Sequence, residues 1–303
     1  MNISWVLATS LIIGCSTSYA MLRTIESKHL DLQAIGNAKS QQANPSDLTQ
    51  ELVMDRSSNT SKLQILLPLY IYPNWYDRDK YIWKQVTVAA RKVPIVAIIN
   101  PNNGPNNAPP NSDYQQGLKD LHQAGVKIVG YVPTNYTKRD IQAVKADIEV
   151  YSKYFNIDGI FVDETANTQD KLNYYHQIYQ YTKSRSPRYQ VIINPGANII
   201  ESYLHEPVAD VSVNFENYQK VWNDYHPPAY MKNYPPQHFA ALVHTTADAQ
   251  MMKRTIDLAD KYKFGYIYIT NDSTDTANRN PWDTLPTYWQ AQVNYIQKIN
   301  ATK

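Results

Sequence analysis

The chain has 303 residues, a net charge of +2 and 43% apolar residues. That balance allows one large core and excludes the basic stripe expected of a nucleic-acid binder. A single cysteine, Cys15, rules out an internal disulfide and a cysteine metal cluster, while 25 tyrosines suit half-buried positions and sugar faces alike, because each offers a flat ring with a polar edge.

Met1 to Ala20 reads as an export signal. The apolar run from Ile3 to Ile13 is too short to span a bilayer and lacks a basic flank. Two cleavage sites compete. Ile12-Ile13-Gly14-Cys15 is similar to a lipobox, which would put a lipid anchor on Cys15, and Ser18-Tyr19-Ala20 has the small-x-small pattern of ordinary signal cleavage. Either route places the protein outside the cytoplasm, secreted or lipid-anchored in a bacterial envelope. Residues 21–62 are polar and without period, the composition of a disordered tether.

From Leu63 the pattern turns regular, and 63–303 is read as one domain. Short apolar runs occur at Leu63–Tyr72, Ile95–Asn100, Lys127–Val132, Gly159–Asp163, Gln190–Asn194, Val211–Phe215, Phe239–His244 and Gly265–Thr270. Helical spacing follows most of them, at Tyr81–Arg91, Tyr114–Ala124, Lys138–Tyr154, Leu172–Ser184, Thr246–Tyr262 and Thr287–Ile299. The fifth and sixth connections are short. Alternation of this kind implies parallel strands, and eight units in roughly 240 residues predict an α/β fold, a single (β/α)8 TIM-type barrel. No Gly-rich phosphate loop follows the first strand, which speaks against a doubly wound sheet.

Chemistry in such barrels gathers at the C-terminal ends of the strands. Those ends supply Tyr70 and Tyr72, Asn100, Tyr131 and Thr134, Asp163 and Glu164, Asn194, Asn214 and Glu216, His244, and Asn271. Hydroxyls, amides, carboxylates and rings around one cavity suit a polyol. Trp75 and Tyr136 could also stack on sugar rings, and Trp222 and Trp282 could wall a cleft. Strand parity, assuming no bulge, turns Asp163 inward and aligns Glu216 with Asn214 and Ser212, while Glu164 turns sideways. Glycoside hydrolysis needs two carboxyl groups in different protonation states, which Asp163 and Glu216 could provide across the mouth. No His/Asp/Glu set has metal-ligand spacing, so no cofactor or metal is expected.

Four segments carry a resemblance. They are Leu67-Pro68-Leu69-Tyr70-Ile71-Tyr72-Pro73, Ile98-Ile99-Asn100-Pro101-Asn102-Asn103-Gly104-Pro105, Gly130-Tyr131-Val132-Pro133-Thr134-Asn135-Tyr136 and Asp158-Gly159-Ile160-Phe161-Val162-Asp163-Glu164. In this order they resemble the spherulation-specific family 4 (spherulin-4-like) proteins, including glycoside hydrolase family 135. The resemblance implies an endo-acting α-1,4-N-acetylgalactosaminidase on galactosamine-containing exopolysaccharide, of the kind met in biofilms. It places the family's aspartate-glutamate pair on Asp163 and Glu164 and its distant glutamate on Glu216. By analogy with retaining α-glycosidase barrels, Asp163 is assigned as nucleophile and Glu216 as general acid/base, with the exchanged assignment left open. Fungal relatives often carry His where this chain has Pro133.

The expected partner is therefore a polysaccharide substrate, with no nucleic acid and a monomeric protein. The competing expectation is an envelope barrel that binds polysaccharide without cutting it.

Overall fold

The computed structural model describes residues 62–106, 108–205, 207–275 and 280–303. The expected export signal and, but for Lys62, the expected tether lie outside them. Eight parallel strands close into a barrel in sequence order, so the domain is a TIM barrel. The strands are β1 (Gln64–Leu69), β2 (Ile95–Ile99), β3 (Lys127–Pro133), β4 (Gly159–Asp163), β5 (Gln190–Ile193), β6 (Val211–Tyr218), β7 (Phe239–His244) and β8 (Tyr266–Ile269). The helices are α1 (Trp83–Ala89), α2 (Ser112–Gln123), α3 (Ile141–Tyr154), α4 (Leu172–Arg185), α5 (Ser202–His205), α6 (Gln219–Trp222), α7 (Ala249–Lys261) and α8 (Trp289–Asn300). The α-helices in the connections after β5 and β6, α5 and α6, are single turns, and 3-10 turns at Ala229–Asn233 and Pro236–His238 complete the second of these connections.

The strands are buried on both faces, against the barrel axis and against the helices, which is why β2 reads Ile-Val-Ala-Ile-Ile without a polar break. Three of the longer helices begin with a side-chain cap. Asn111 accepts from the Tyr114 amide, Asp140 from Gln142 and Ala143, and Asp248 from Gln250 and Met251, each cap worth about 1 kcal/mol. Strand β4 lies so close to β5 that a Cβ on Gly159 would meet the Gln190 carbonyl oxygen at 2.1 Å. Only glycine fits there. At the N-terminal rim, the Asn300 amide closes the barrel by accepting from the Leu63 N–H (2.8 Å) and donating to the Leu63 carbonyl (2.9 Å).

Strand β6 departs from simple alternation. Val213 pairs with Ala240, and Ala240 with Tyr266, whose hydroxyl accepts from Gln190 across the barrel at 3.0 Å. This row points inward. Glu216 pairs with Leu242, two residues beyond Ala240, and so points inward as well. Three steps along β6 therefore match two along β7, and Asn214 is the extra residue of a bulge between Val213 and Phe215. The bulge corrects the parity expected for this strand. Val213 faces the axis, whereas Asn214 and Phe215 both face the helices. Phe215 packs edge-on against Trp222, and Asn214 reaches Tyr230 at 3.5 Å and the Met231 sulfur at 3.8 Å. Past the bulge β6 runs three residues further than expected, so that Glu216 is held within the sheet.

Candidate active site

Asp163 ends β4, Asn194 follows β5 directly, and Glu216 lies on β6. Three neighbouring strands thus deliver three inward side chains at the C-terminal mouth. The Asn194 Nδ2 donates to Asp163 Oδ1 at 2.8 Å and to Glu216 Oε2 at 2.5 Å. One nitrogen reaches both carboxyl groups, so the facing oxygens can be no farther apart than these two bonds laid end to end. The amide itself is fixed from behind, because Asn194 Oδ1 accepts from the Gly196 N–H at 3.0 Å. The Tyr131 hydroxyl also favours the charged form of Asp163, and the Trp282 indole N–H that of Glu216.

Asp163 and Glu216 are half-buried, each open to the cleft on one side. The surrounding protein still excludes enough water to favour their neutral forms. Burial, followed by the charge of Asp163, pushes the Glu216 carboxyl up to about 7. Burial also raises Asp163, but the Tyr131 hydroxyl, the Glu164 N–H and the Asn194 amide favour its charged form and oppose that rise. Of the two, Glu216 is the group we assign the proton, because three polar neighbours favour the charged form of Asp163. The Tyr70 and Tyr131 hydroxyls, buried beside these carboxylates, are pushed well above their ordinary range and stay neutral. They meet edge to face at 5.6 Å, and Tyr131 also stacks on Phe161.

Glu164 adopts a left-handed conformation, with φ +52°. This turns it sideways, so that its Oε2 accepts from the Asn135 N–H at 2.9 Å while its carbonyl accepts from the Tyr136 N–H. The loop after β3 is thereby tied to the end of β4 and holds Tyr136 at the cleft rim. The same loop is clamped from below. Arg139 donates to the Pro133 carbonyl (3.0 Å) and pairs with the buried Asp147 of α3 at 2.6 Å.

The cleft holds about 620 Å3 and is lined by Tyr70, Tyr136, Asp163, Glu164, Asn194 and Glu216, with His244, Thr274, Asn280 and Trp282 opposite. It lies within the roughly 300–1,000 Å3 typical of ligand sites. Burial lowers His244, leaving it neutral at pH 7, so the lining carries three carboxyl groups and no cation. No group of three or more His, Cys, Asp or Glu side chains placed to hold a metal occurs among the described residues.

The model of spherulation-specific family 4 matches residues 64–296. The chain belongs to spherulation-specific family 4. Spherulin-4 of Physarum polycephalum is 31% identical over 251 residues, which cover 80% of this chain and 73% of that protein. Among solved structures, Aspergillus clavatus Sph3 in complex with GalNAc is similar at a TM-score of 0.66 and 25% identity, covering 78% of this chain and 98% of Sph3. The cyclic α-maltosyl-(1→6)-maltose hydrolase of Arthrobacter globiformis shares the fold at a TM-score of 0.53 and 8% identity, over 80% of this chain and 82% of that one. This member of spherulation-specific family 4 has a cleft lined by carboxyl groups at the mouth of its barrel.

Within this family 4 domain, the residues expected at the site divide into two groups. Tyr70, Asp163, Glu164, Asn194, Glu216 and His244 line the cleft, and Tyr131 lies beside Asp163. The others shape loops or the core. Thr134 is fully buried and donates to the Asp163 and Glu164 carbonyls. Asn100 accepts from the Gly104 N–H in the loop after β2. Asn271 accepts from the Thr287 N–H and hydroxyl. Tyr72 donates to Asp113 on α2 and accepts from Asn111. Asn214 lies behind the sheet because of the bulge. Of the two tryptophans expected as walls, Trp282 lines the cleft, whereas Trp222 is core, stacked on Tyr225. Sequence reasoning missed Thr274 and Asn280, which come from the loop after β8, where no period marks a position. It also missed Tyr218, whose hydroxyl bonds Thr274 and whose ring meets His244 at 4.4 Å.

Proposed function

We propose that the protein is an exported, retaining glycoside hydrolase that cleaves α-1,4-linked N-acetylgalactosamine or galactosamine exopolysaccharide in an endo-acting manner. The observation that carries this reading is the Asn194 amide bridging Asp163 and Glu216. One nitrogen within hydrogen-bond reach of both groups holds them close together, which supports the short spacing of a retaining pair over the wider gap that an inverting enzyme needs for its water. Likeness to a GalNAc-bound barrel supports the sugar class.

In this mechanism the Asp163 carboxylate attacks the anomeric carbon while Glu216 gives its proton to the departing glycosidic oxygen. The bond to the leaving sugar breaks as the glycosyl-enzyme ester forms. Water then attacks the anomeric carbon, Glu216 takes its proton, and Asp163 leaves as carboxylate. The electrostatics follow the cycle. The negative Asp163 helps keep Glu216 protonated for the first step. Esterification removes that charge, so Glu216 becomes the stronger acid it must be to stand ionised as base in the second. Glu164, fixed by Asn135, orients the sugar at the rim. Export through the Met1–Ala20 signal and a lipid on Cys15 complete the reading, and radiolabelled palmitate incorporation into wild type against Cys15→Ser tests the lipid.

The deciding experiment is product analysis on acetylated and deacetylated α-1,4-galactosamine polymers with wild type, Asp163→Asn and Glu216→Gln. Short oligosaccharides of retained anomeric configuration from wild type alone are expected. Inverted products would remove the covalent step. Binding without products would make the protein a polysaccharide-binding barrel.

A further inference from the structure

The loop after β1 leaves the cleft floor at Tyr70 and within a few residues exposes two large aromatic side chains. Trp75 is 44% exposed and Tyr76 71%. Such side chains are ordinarily covered unless something binds them. The loop presenting them is rigid. Asn74 holds a left-handed turn (φ +40°) and its amide donates to the Tyr72 carbonyl at 3.3 Å. The Asp77 N–H donates to the Asn74 carbonyl at 3.0 Å, and Lys80 closes the turn on Asp77 at 2.9 Å. At its base the buried Trp83 indole donates to the Ile71 carbonyl at 2.8 Å.

Beneath this loop a groove of about 540 Å3 runs down the flank of the barrel between α1 and α2, lined by Trp75, Tyr76, Arg78, Tyr81, Lys84 and Asp120. One side of the groove is aromatic and the other carries hydrogen-bonding groups, with the Tyr81 hydroxyl fixed on Asp120 at 2.6 Å. We propose that this groove is a second, non-catalytic glycan-binding site, which holds a neutral, N-acetylated stretch of the polysaccharide whose other part lies in the cleft.

The charge of the groove selects among polymers. The acidic groups of the cleft have no cation among them, whereas in the groove Arg78 and Lys84 outnumber Asp120 and leave a net positive charge. A deacetylated, cationic galactosamine stretch would be repelled there, and an acetylated one would not. Reach is also sufficient. Trp75 is five positions beyond Tyr70, so their Cα atoms lie at most about 18 Å apart, a span that one polymer chain can bridge. Two weak contacts on one chain then raise its local concentration at the cleft. The proposal rests on the reading of the cleft as a site for a galactosamine polymer.

The test uses the full chain in the inactive Glu216→Gln background, with and without Trp75→Ala and Tyr76→Ala. Retardation in native gels containing α-1,4-linked N-acetylgalactosamine polymer measures binding. Cleavage of a short oligosaccharide by Trp75→Ala/Tyr76→Ala with Glu216 intact measures the cleft. The expected result is at least a fivefold loss of polymer affinity, little loss with the deacetylated polymer, and oligosaccharide turnover within twofold of wild type. Equal retardation of the two proteins by acetylated polymer would overturn the proposal. So would absence of any retardation of the parent, or a parallel loss of oligosaccharide cleavage, which would make the loop part of the cleft. Failure of the hydrolase reading shows separately, as an absence of products from wild type.

Discussion

The indole of Trp282, from the loop after β8, lines the cleft together with the carboxyl group of Glu216 on β6. Its N–H favours the ionised form of Glu216, against burial and the charge of Asp163, and the balance leaves the group near 7. If Glu216 is the general acid, kcat/KM falls as pH rises through about 7. Trp282→Phe keeps the wall of the cleft and removes the donor. Its alkaline limb should move to higher pH, measured on an oligosaccharide from about pH 4 to about pH 9. A limb that stays in place or moves down would show that Trp282 only lines the site.

Glu216 also links stability to pH. Its folded value of about 7 lies above the ordinary 4.5, so the folded protein holds this proton more tightly than the unfolded chain. The stabilising effect of that proton is present in full below about pH 4.5 and is lost as pH rises through about 7. Asp163 is shifted in the same direction. Glu216→Gln removes the penalty, so its Tm advantage over wild type should be larger at pH 8 than at pH 5, while turnover falls by about 10²–10⁴. A variant less stable than wild type at pH 8 would contradict the assignment of a costly buried carboxyl group.

Asn194→Ala removes one donor from each carboxyl group at once. Both groups then lose support for their charged forms, and both limbs of the pH profile should move upward. The spacing of the pair is released as well, which should cost kcat about a hundredfold, the scale of a misplaced catalytic group. Loss of KM alone, with kcat and both limbs intact, would make Asn194 a substrate contact and nothing more.

The Arg139–Asp147 pair, at 2.6 Å, has its carboxylate side nearly closed to water. Arg139→Ala leaves that charge without its partner and frees the Pro133 carbonyl, and should cost roughly 2–4 kcal/mol in urea unfolding. Asp147→Asn, which leaves the more exposed arginine able to reach solvent, should cost clearly less. Equal losses would mean that the two side chains contribute by packing rather than by charge.

The barrel was legible because its signal is repetitive, with each strand a buried apolar run and most followed by a helix. The carboxylates were legible because charge at the end of a buried strand is costly. Asn214 shows where alternation stops being informative, since a single extra residue in β6 reverses the parity on one side of it and nothing local marks that residue. Thr134, Asn100 and Asn271 show a second limit. A polar group that faces a ligand and one that ties down a turn answer the same need for a hydrogen bond, and only the path of the loop separates them. Trp222 and Trp282 make the same point for rings, one enclosed by Phe215 and Tyr225 and the other lining the cleft with Glu216.

The reciprocal bonds between Leu63 and Asn300 set the first and last elements of the barrel side by side on the rim opposite the cleft. A support joined to the barrel at its start would therefore sit behind it, with the mouth turned outward and no part of the linkage crossing the path of a long chain. Immobilised on a bead through residue 62, the barrel should accept polymer as readily as it does in solution.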